Sequence, residues 1–215
     1  MKKTLLKNLI VLIAVGVTLG ACKKDKQDVP SPVIVKNIGL LQTTDNTIPT
    51  AMLSCANGNV TSAGDFARLY NLKALGYSSF QVSKVSFAVH GFQLGTAVTF
   101  PVSVKVYASK GGTVDADLTL IREETVNITS AMVGKIVEVP FAKPAAVTSP
   151  EMFIVISAPD GTATSTGLFL GGNNKGQTAP GYIKASGCGV NNFVDFSTIG
   201  DRNHLILFPT GDATL

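Results

Sequence analysis

The chain is poor in several residue types on which common protein functions depend. Among its 215 residues there is no tryptophan, only three cysteines and two histidines, and charged side chains make up 15%. The cysteines and histidines lack the close spacing that is typical of a zinc site. The sequence also has no Gly-x-Ser-x-Gly elbow, no His-Glu-x-x-His motif and no phosphate-binding loop. These absences argue against the common hydrolases, zinc proteases and nucleotide-binding proteins.

Both histidines are interpreted as structural residues. His90 falls on the polar side of an alternating segment, opposite Val85, Phe87 and Val89, which predicts an exposed or edge histidine rather than a catalytic base. His204 begins an apolar run, where we expect a histidine that hydrogen-bonds a neighbouring loop. With no nucleophile motif near either histidine, the sequence predicts a protein that is not an enzyme.

The first 22 residues have the pattern of an export signal. Lys2 and Lys3 precede an apolar stretch, and Leu19-Gly20-Ala21 leads directly to Cys22. A charged start, a short apolar stretch and small residues before the cut distinguish a signal peptide from a membrane-spanning helix. This segment resembles a bacterial lipoprotein signal. The resemblance implies cleavage before Cys22, lipidation of that cysteine by acyl chains, and a lipid anchor in the outer membrane, on its periplasmic or its cell-surface face.

The sequence divides into a signal peptide (1–21), a flexible tether (22–34) and one domain (35–215). The tether is polar and then rich in proline, with too little apolar content to pack. The remaining length suits one sandwich-type domain and is short for two. Lys2, Lys3 and Lys7 leave with the signal, so that 15 of the 18 basic residues remain against 14 acidic ones. This nearly neutral balance argues against a nucleic-acid partner.

Beyond the tether the hydrophobic period is two, which predicts β-strands. Val102, Val104 and Val106 alternate with polar residues, as in a half-buried strand of an antiparallel sheet. In Phe153–Ile156 both faces are apolar, which predicts a central strand covered on both sides. Further strands are predicted at Phe66–Leu72, Leu118–Ile128, Gly167–Leu170, Tyr182–Ala185 and His204–Phe208. The spacing favours an all-β domain, an antiparallel β-sandwich resembling a jelly roll.

The segment 171–182 is the best candidate for a ligand-binding loop. It is long and rich in amides, and it contains Asn173, Asn174, Gln177 and Tyr182. Amide groups both donate and accept hydrogen bonds, which suits sugar hydroxyls, and a tyrosine ring can stack on a sugar. The structural alternative is that the glycines permit tight turns while the amides bond the loop's own backbone. This alternative is favoured.

Each of two further pairs of side chains allows two interpretations. Cys55 and Cys188 can form a disulfide in an exported protein, where such a bridge contributes roughly 4 kcal/mol in the chain-entropy model, or they can remain free thiols. Asp115 and Asp117 flank a turn and supply the oxygen ligands that calcium prefers. A solvated turn without calcium is the favoured interpretation of the aspartates, and no cofactor is predicted.

Several spaced segments carry a resemblance to a known kind of module. They are Phe66–Leu72, Phe80–Phe87, Ala158–Gly161, Gly176–Tyr182, Ser186–Gly189 and His204–Ile206. Together they resemble a β-sandwich accessory module of secreted bacterial proteins, particularly of flavobacteria and other Bacteroidetes, which has no assigned reaction. The resemblance covers roughly 54–211. Arg68 and Asn71, on the first long predicted strand, are placed to pair with the loop that ends at Tyr182.

These observations predict a lipid-anchored, non-catalytic binding or adhesion module of the cell envelope. Its expected partners are the membrane, through the lipid, and a glycan or an envelope protein. The alternative is a structural subunit of a surface assembly, joined by strand pairing. A small hydrolase is the least favoured interpretation.

Overall fold

The computed structural model describes residues 31–97 and 99–215. The predicted signal peptide, Cys22 and most of the predicted tether lie outside the described residues. Strand β1 begins at Ile34, the last residue of the predicted tether. No helix in the described part of the chain is long and apolar enough to cross a membrane.

Two antiparallel sheets face each other across one hydrophobic core, which confirms the predicted all-β sandwich. The strands in chain order are β1 (Ile34–Gly39), β2 (Thr50–Ala51), β3 (Ala56–Asn57), β4 (Val60–Thr61), β5 (Gly64–Asn71), β6 (Ser79–Gln93), β7 (Pro101–Ser109), β8 (Leu118–Asn127), β9 (Lys135–Val147), β10 (Glu151–Ala158), β11 (Gly167–Asn173), β12 (Gly181–Ala185), β13 (Val190–Asp195), β14 (His204–Leu205) and β15 (Leu207–Thr214). Short 3-10 turns occur at Asp115–Asp117, Ser130–Met132, Thr162–Thr164, Ser186–Cys188 and Phe196–Ile199.

The strand order is that of a jelly roll. In the first sheet the strand order is β1-β15-β6-β9. Strand β11 pairs with the last residues of β6, and both β2 and β14 pair with β11. The second sheet has the order β13-β12-β5-β10-β7-β8. The chain alternates between the four-stranded sets β1-β15-β6-β9 and β5-β10-β7-β8, which is the double Greek-key pattern. The predicted jelly-roll resemblance is therefore correct.

Strand β6 crosses the middle of the first sheet and keeps one face in the core by means of a β-bulge. Phe80 and Val82 face the core before the bulge, and Val85, Phe87 and Val89 face it afterwards. An extra residue shifts the alternation by one position, so the inward-facing residues have even numbers before the bulge and odd numbers after it. The predicted shared face of Val85, Phe87 and Val89 is confirmed.

Strand β10 lies between β5 and β7 and is buried on both faces, as predicted. Met152, Ile154 and Ile156 enter the main core. Phe153 and Val155 point to the opposite side and are also buried, in a separate cluster. Burial of each large apolar side chain stabilises the fold by roughly 1.5–3 kcal/mol. The second face of this strand is therefore covered by side chains of its own sheet.

One predicted strand differs in extent from the structure, and one strand was not predicted. The run predicted as one strand from His204 to Phe208 is divided into β14 and β15, because the Ile206 N–H donates to the Gly171 carbonyl at 3.1 Å and the Ile206 carbonyl accepts from Ala88. Strand β13 was not predicted, since its Asn-Asn pair has a low strand propensity. Pairing with β12 overrides that propensity.

Cys55 and Cys188 form a disulfide, with the sulfur atoms 2.04 Å and the Cα atoms 5.7 Å apart. The bridge spans 133 residues of sequence. It attaches the segment before β3 to the 3-10 turn that follows β12. The interpretation of these two residues as free thiols is not the one the structure adopts.

Candidate functional site

The outer face of the second sheet, meaning the side that points away from the main core, carries an aromatic cluster. Phe153 packs edge to face against Phe193, with ring centres 4.9 Å apart, and against Tyr182 at 6.0 Å. Ala67 and Val155 are buried beside Phe153, and Tyr182 and Phe193 are half-buried over them. This geometry places aromatic surface, partly open to solvent, on a sheet face that contributes nothing to the main core.

A cleft of about 540 Å³, here called the Tyr182 cleft, opens at one end of the outer face. Its walls come from five places: the end of β1 and the segment after it, the end of β5, the turn after β5, the start of β10, and β12 with the residues just before it. The side chains used below are Leu41, Leu69, Asn71, Leu75, Glu151 and Tyr182. Leu41 and Leu75 are about half exposed, at 49% and 50%. The volume falls within the range of small-ligand sites, and most of the wall is apolar.

A small polar group lies within these apolar walls. Glu151 and Asn71 are opposite each other on β10 and β5, and the Asn71 amide donates to Glu151 Oε1 at 3.3 Å. Glu151 Oε2 is buried and has no hydrogen-bond partner among the described residues. Burial raises the pKa of the Tyr182 phenol, and the negative charges of Asp195 and Glu151 raise it further. The cleft therefore offers a carboxylate as an acceptor and a protonated phenol as a donor.

A smaller cleft of about 240 Å³, here called the Lys184 cleft, lies at the other end of the same face. Lys184 Nζ donates to Asp115 Oδ2 at 2.7 Å and lies 5.6 Å from the centre of the Phe193 ring. Ser157 Oγ is buried in this wall without a partner among the described residues. Burial raises the pKa of the Tyr107 phenol, which also lines this cleft. Polar and aromatic groups are thus combined here as well.

Arg68 is buried directly beneath the walls of the Tyr182 cleft, at 0% exposure. Its Nε and Nη2 donate to the Leu205 carbonyl, its Nη1 donates to Gln42 Oε1 at 3.1 Å and to the Ala179 carbonyl at 2.7 Å, and its Nη2 also donates to Gln177 Oε1 at 3.0 Å. All five N–H groups of the guanidinium are used. Neither of the two ion pairs in the described part of the chain involves this cation. Desolvation accordingly lowers the pKa of Arg68.

The bonds of Arg68 hold two walls of the cleft at once. Gln42 and Ala179 both line the Tyr182 cleft, and they come from segments far apart in the sequence. A second bond links the same segments, since the Thr178 N–H donates to the Gln42 carbonyl at 2.7 Å. The side-chain amide of Gln42 in turn donates to the Leu69 carbonyl. The shape of the cleft is therefore set by a buried polar network, before any ligand arrives.

Two of the four side chains that were predicted to form a ligand loop instead form hydrogen bonds within the protein. Asn173 is fully buried in β11, where its amide donates to the Asp45 carbonyl and its Oδ1 accepts from the Lys175 N–H at 3.0 Å. Gln177 accepts from Arg68, as described above, and Asn174 is exposed and lines neither cleft. These three residues do not line the cleft that contains Tyr182, and the bonds of Asn173 and Gln177 within the protein agree with the favoured structural interpretation of this segment. Tyr182 alone of the four lies in the large cleft.

The glycines at the start of this segment are required by close packing. A Cβ atom on Gly171 would lie 2.5 Å from Ile48 Cγ2 and 2.7 Å from the Cβ of Ala88. A Cβ on Gly172 would overlap the sulfur of Met52. Gly171 and Gly172, which were predicted to lie in a loop, therefore belong to strand β11 beneath a closely packed layer.

Arg68 and Asn71 were both placed to pair with the loop before Tyr182. For Arg68 the prediction is confirmed by its bonds to Gln177 and Ala179. For Asn71 it was wrong. The Asn71 side chain accepts from the Ala74 N–H at 2.8 Å and donates to Glu151, because its strand ends at that position and the chain turns.

The two histidines occupy structural positions. Nδ1 of His204 accepts from the Gly176 N–H at 3.0 Å, which confirms the predicted bond to a neighbouring loop. Burial and the positive charge of Arg68 lower the pKa of His204. His90 lies in β6 and is partly exposed, in agreement with its position opposite the core residues of that strand.

The aspartates that were considered for calcium form a turn. Asp115 and Asp117 belong to a 3-10 turn, and Asp115 pairs with Lys184. Within 31–97 and 99–215, no group of three or more histidine, cysteine or acidic side chains is placed to hold a metal ion.

Comparisons with known proteins assign no family. No family model matches the chain, and none of the curated proteins gives a significant match. Among solved structures, the cysteine protease and lectin-like domains of Cwp84, a surface layer associated protein of Clostridium difficile, align over 73% of this chain and 33% of theirs, with 12% identity and a TM-score of 0.49. A structure of clostridial Cwp84 after propeptide cleavage aligns over 73% of this chain and 37% of its own, with 14% identity and the same TM-score.

Proposed function

We propose that this protein is a non-catalytic glycan-binding module of the bacterial cell envelope, anchored to the outer membrane by lipid on Cys22. The observation that carries the binding role is the Tyr182 cleft on the outer face of the second sheet. The sequence before Cys22 supports the anchor, through its charged start, apolar stretch and small residues.

The chemistry of the cleft suits a sugar. A sugar ring has apolar C–H faces and a rim of hydroxyl groups, so it needs both apolar and hydrogen-bonding surface. Tyr182 supplies an aromatic ring with a polar end, and Leu69 and Leu75 supply aliphatic wall. Glu151 and Asn71 supply an acceptor and an amide at one side of the cleft.

The charge in the cleft indicates which sugars it would accept. Glu151 is the only charged side chain among the described residues that line the Tyr182 cleft. A carboxylate accepts hydrogen bonds from hydroxyl or ammonium groups and repels other carboxylates. The expected ligands are therefore neutral polysaccharides rather than acidic or sulfated ones.

The alternative of a strand-linked surface assembly is less well supported by the sheet edges. At the β1 edge, Asn37 has a positive φ of 53° and the pairing with β15 is interrupted by a bulge. The β8 edge carries Arg122, Glu123 and Glu124. Bulges and charged side chains are features that protect edge strands from pairing with other chains. We accordingly expect a monomer, which size-exclusion chromatography with light scattering would test.

The binding role is tested with a panel of immobilised neutral and acidic polysaccharides, using the full chain in mild detergent. We expect at least one neutral polysaccharide to bind and Tyr182→Ala to abolish that binding. Phe92→Ala is the matched control, because Phe92 is a half-buried aromatic on the first sheet that lines neither cleft. Failure of the whole panel to bind, or equal binding by Tyr182→Ala, would overturn the proposal.

The anchor is tested separately by Cys22→Ser. Without the thiol no lipid can be attached, so the variant is expected to leave the membrane fraction. Continued membrane association, measured by fractionation and immunoblotting, would show that the N-terminal segment does not act as a lipoprotein signal.

A further inference from the structure

The two clefts lie on one face of the same strands. Glu151 lines the Tyr182 cleft and Ser157 lines the Lys184 cleft, and both side chains point outward from β10. Six residues separate them, which corresponds to about 20 Å along an extended strand. Asn71 and Asp65 on β5 are the register partners of these two residues, so the same separation repeats on the neighbouring strand.

The surface between the clefts is one aromatic cluster. Tyr182 lines the first cleft, Phe193 lines the second, and both pack edge to face on the buried Phe153. A ligand that reaches from one cleft to the other would therefore pass over this cluster.

Each end of this path has an oxygen atom that the fold leaves without a hydrogen bond. Among the described residues, Glu151 Oε2 and Ser157 Oγ have no partner. A buried polar atom without a partner costs free energy, so it indicates a group that water or a ligand is expected to satisfy. Lys184 is the one cation among the described residues that line the Lys184 cleft, and it pairs with Asp115 while Asp65 also lines the cleft. The cleft therefore has no excess positive charge that would select an acidic ligand.

We infer that the Lys184 cleft is a second subsite for the ligand of the Tyr182 cleft, so that the outer face binds an internal stretch of an extended neutral polysaccharide lying along β10. This inference rests on the proposed glycan-binding function. It adds that the ligand is a chain of several sugar units, bound along its length rather than by a terminal sugar.

The test uses neutral oligosaccharides of defined length. Disaccharides to hexasaccharides of the cello-, laminari- and chito-series are titrated calorimetrically into the full chain, alongside Phe193→Ala, Lys184→Met and Tyr182→Ala. We expect a hexasaccharide of the series that binds to bind about tenfold more tightly than its disaccharide, as one additional aromatic contact would produce. Phe193→Ala and Lys184→Met should lower the affinity for the hexasaccharide to that of the disaccharide, while Tyr182→Ala should weaken both.

The outcomes separate this inference from the proposed function. Equal affinity for all lengths, or a hexasaccharide affinity unchanged in both Phe193→Ala and Lys184→Met, would overturn the second subsite and leave the glycan-binding role standing. Absence of binding by every series, together with a blank polysaccharide panel, would overturn both. Lys184→Met removes no buried aromatic, so it keeps the test valid if Phe193→Ala fails to fold.

Discussion

The two faces of β5 and β10 differ in how completely their polar groups are satisfied. On the inner face, Arg68 is surrounded by protein and donates every N–H group to an acceptor. On the outer face, Glu151 and Ser157 each bury an oxygen that has no partner among the described residues. Folding alone satisfies all the N–H groups of Arg68, whereas these two outer oxygens keep unused hydrogen-bonding capacity.

This difference has a thermodynamic meaning. Burying a polar group stabilises a protein only if its hydrogen bonds are replaced, and an unpaired buried group destabilises it. The inner network therefore contributes to stability, whereas each unpaired oxygen of the outer face reduces it. Substitutions on the inner face should reduce the free energy of unfolding, and those on the outer face should reduce affinity.

The largest effect is expected for Arg68→Met on the inner face. The variant would leave the Leu205 and Ala179 carbonyls and the side-chain oxygens of Gln42 and Gln177 buried without their donor, which we expect to cost about 3 kcal/mol or more of the free energy of unfolding. Urea denaturation followed by circular dichroism measures this. Arg202→Met, at an exposed position, is the control and should change stability by less than about 0.5 kcal/mol. A loss below about 1 kcal/mol for Arg68→Met would show that the network does not stabilise the fold.

A second comparison sets an inner aliphatic residue against an outer one. Ile154→Ala leaves a cavity in the main core and should cost about 3 kcal/mol of unfolding free energy without changing the affinity of the folded protein for glycan. Leu75→Ala, at the half-exposed rim of the Tyr182 cleft, should cost less than about 1 kcal/mol and weaken binding. Denaturation curves and titrations of both variants test the distinction. Equal losses of unfolding free energy in the two variants would mean that the inner face is no more important for stability than the outer face.

An intermediate effect is expected for Glu151→Gln on the outer face. The change keeps the shape of the side chain but removes its charge, so a hydroxyl donated to the carboxylate is bound less strongly. We expect about a tenfold loss of glycan affinity and little change in stability. Glu138→Gln is the matched control, because Glu138 pairs with Lys84 on the first sheet. Unchanged affinity in Glu151→Gln would remove this carboxylate from the site.

The smallest effect concerns pH and His204. Burial and the charge of Arg68 hold the pKa of this histidine below its ordinary value of 6.5, so the unfolded chain binds a proton at a pH where the folded chain does not. The free energy of unfolding should therefore be unaffected by this group above about pH 7 and should fall as the pH is lowered through 6.5 toward the folded pKa. Denaturation curves between about pH 7 and about pH 5, a window that contains the ordinary histidine pKa of 6.5, measure the slope.

Replacing His204 identifies the source of that slope. His204→Gln retains an acceptor for the Gly176 N–H and should flatten the pH dependence of the free energy of unfolding. A slope that persists in His204→Gln would assign the dependence to carboxyl groups instead.

The fold was largely predictable because its signals are local. Alternation in Val102–Val106 and the apolar run Phe153–Ile156 each report the environment of a single strand, and the structure confirms both. The candidate site was predictable only at Tyr182, from its aromatic type. Glu151 and Asn71 are 80 residues apart and meet because β5 and β10 pair in one particular register. No pattern within either segment carries that information.

Asn173 shows why composition was misleading at the predicted ligand loop. An amide has the same hydrogen-bonding groups whether it faces solvent or the interior, so its type does not reveal its partner. The signal that pointed to the outer face was the second apolar side of Phe153–Ile156, since an outward-facing phenylalanine must be covered by something.

The sequence by itself determined the all-β class, the inner faces of the central strands and the candidate cysteine pair, because apolar periodicity and residue type act within short segments. Only the tertiary structure decided which polar groups form hydrogen bonds within the protein and which remain without a partner among the described residues. Arg68 and Gln177 form a hydrogen bond across 109 residues of sequence, while Glu151 Oε2 has no partner among the described residues. Strand register decides between these outcomes, and register is a property of the assembled sheets.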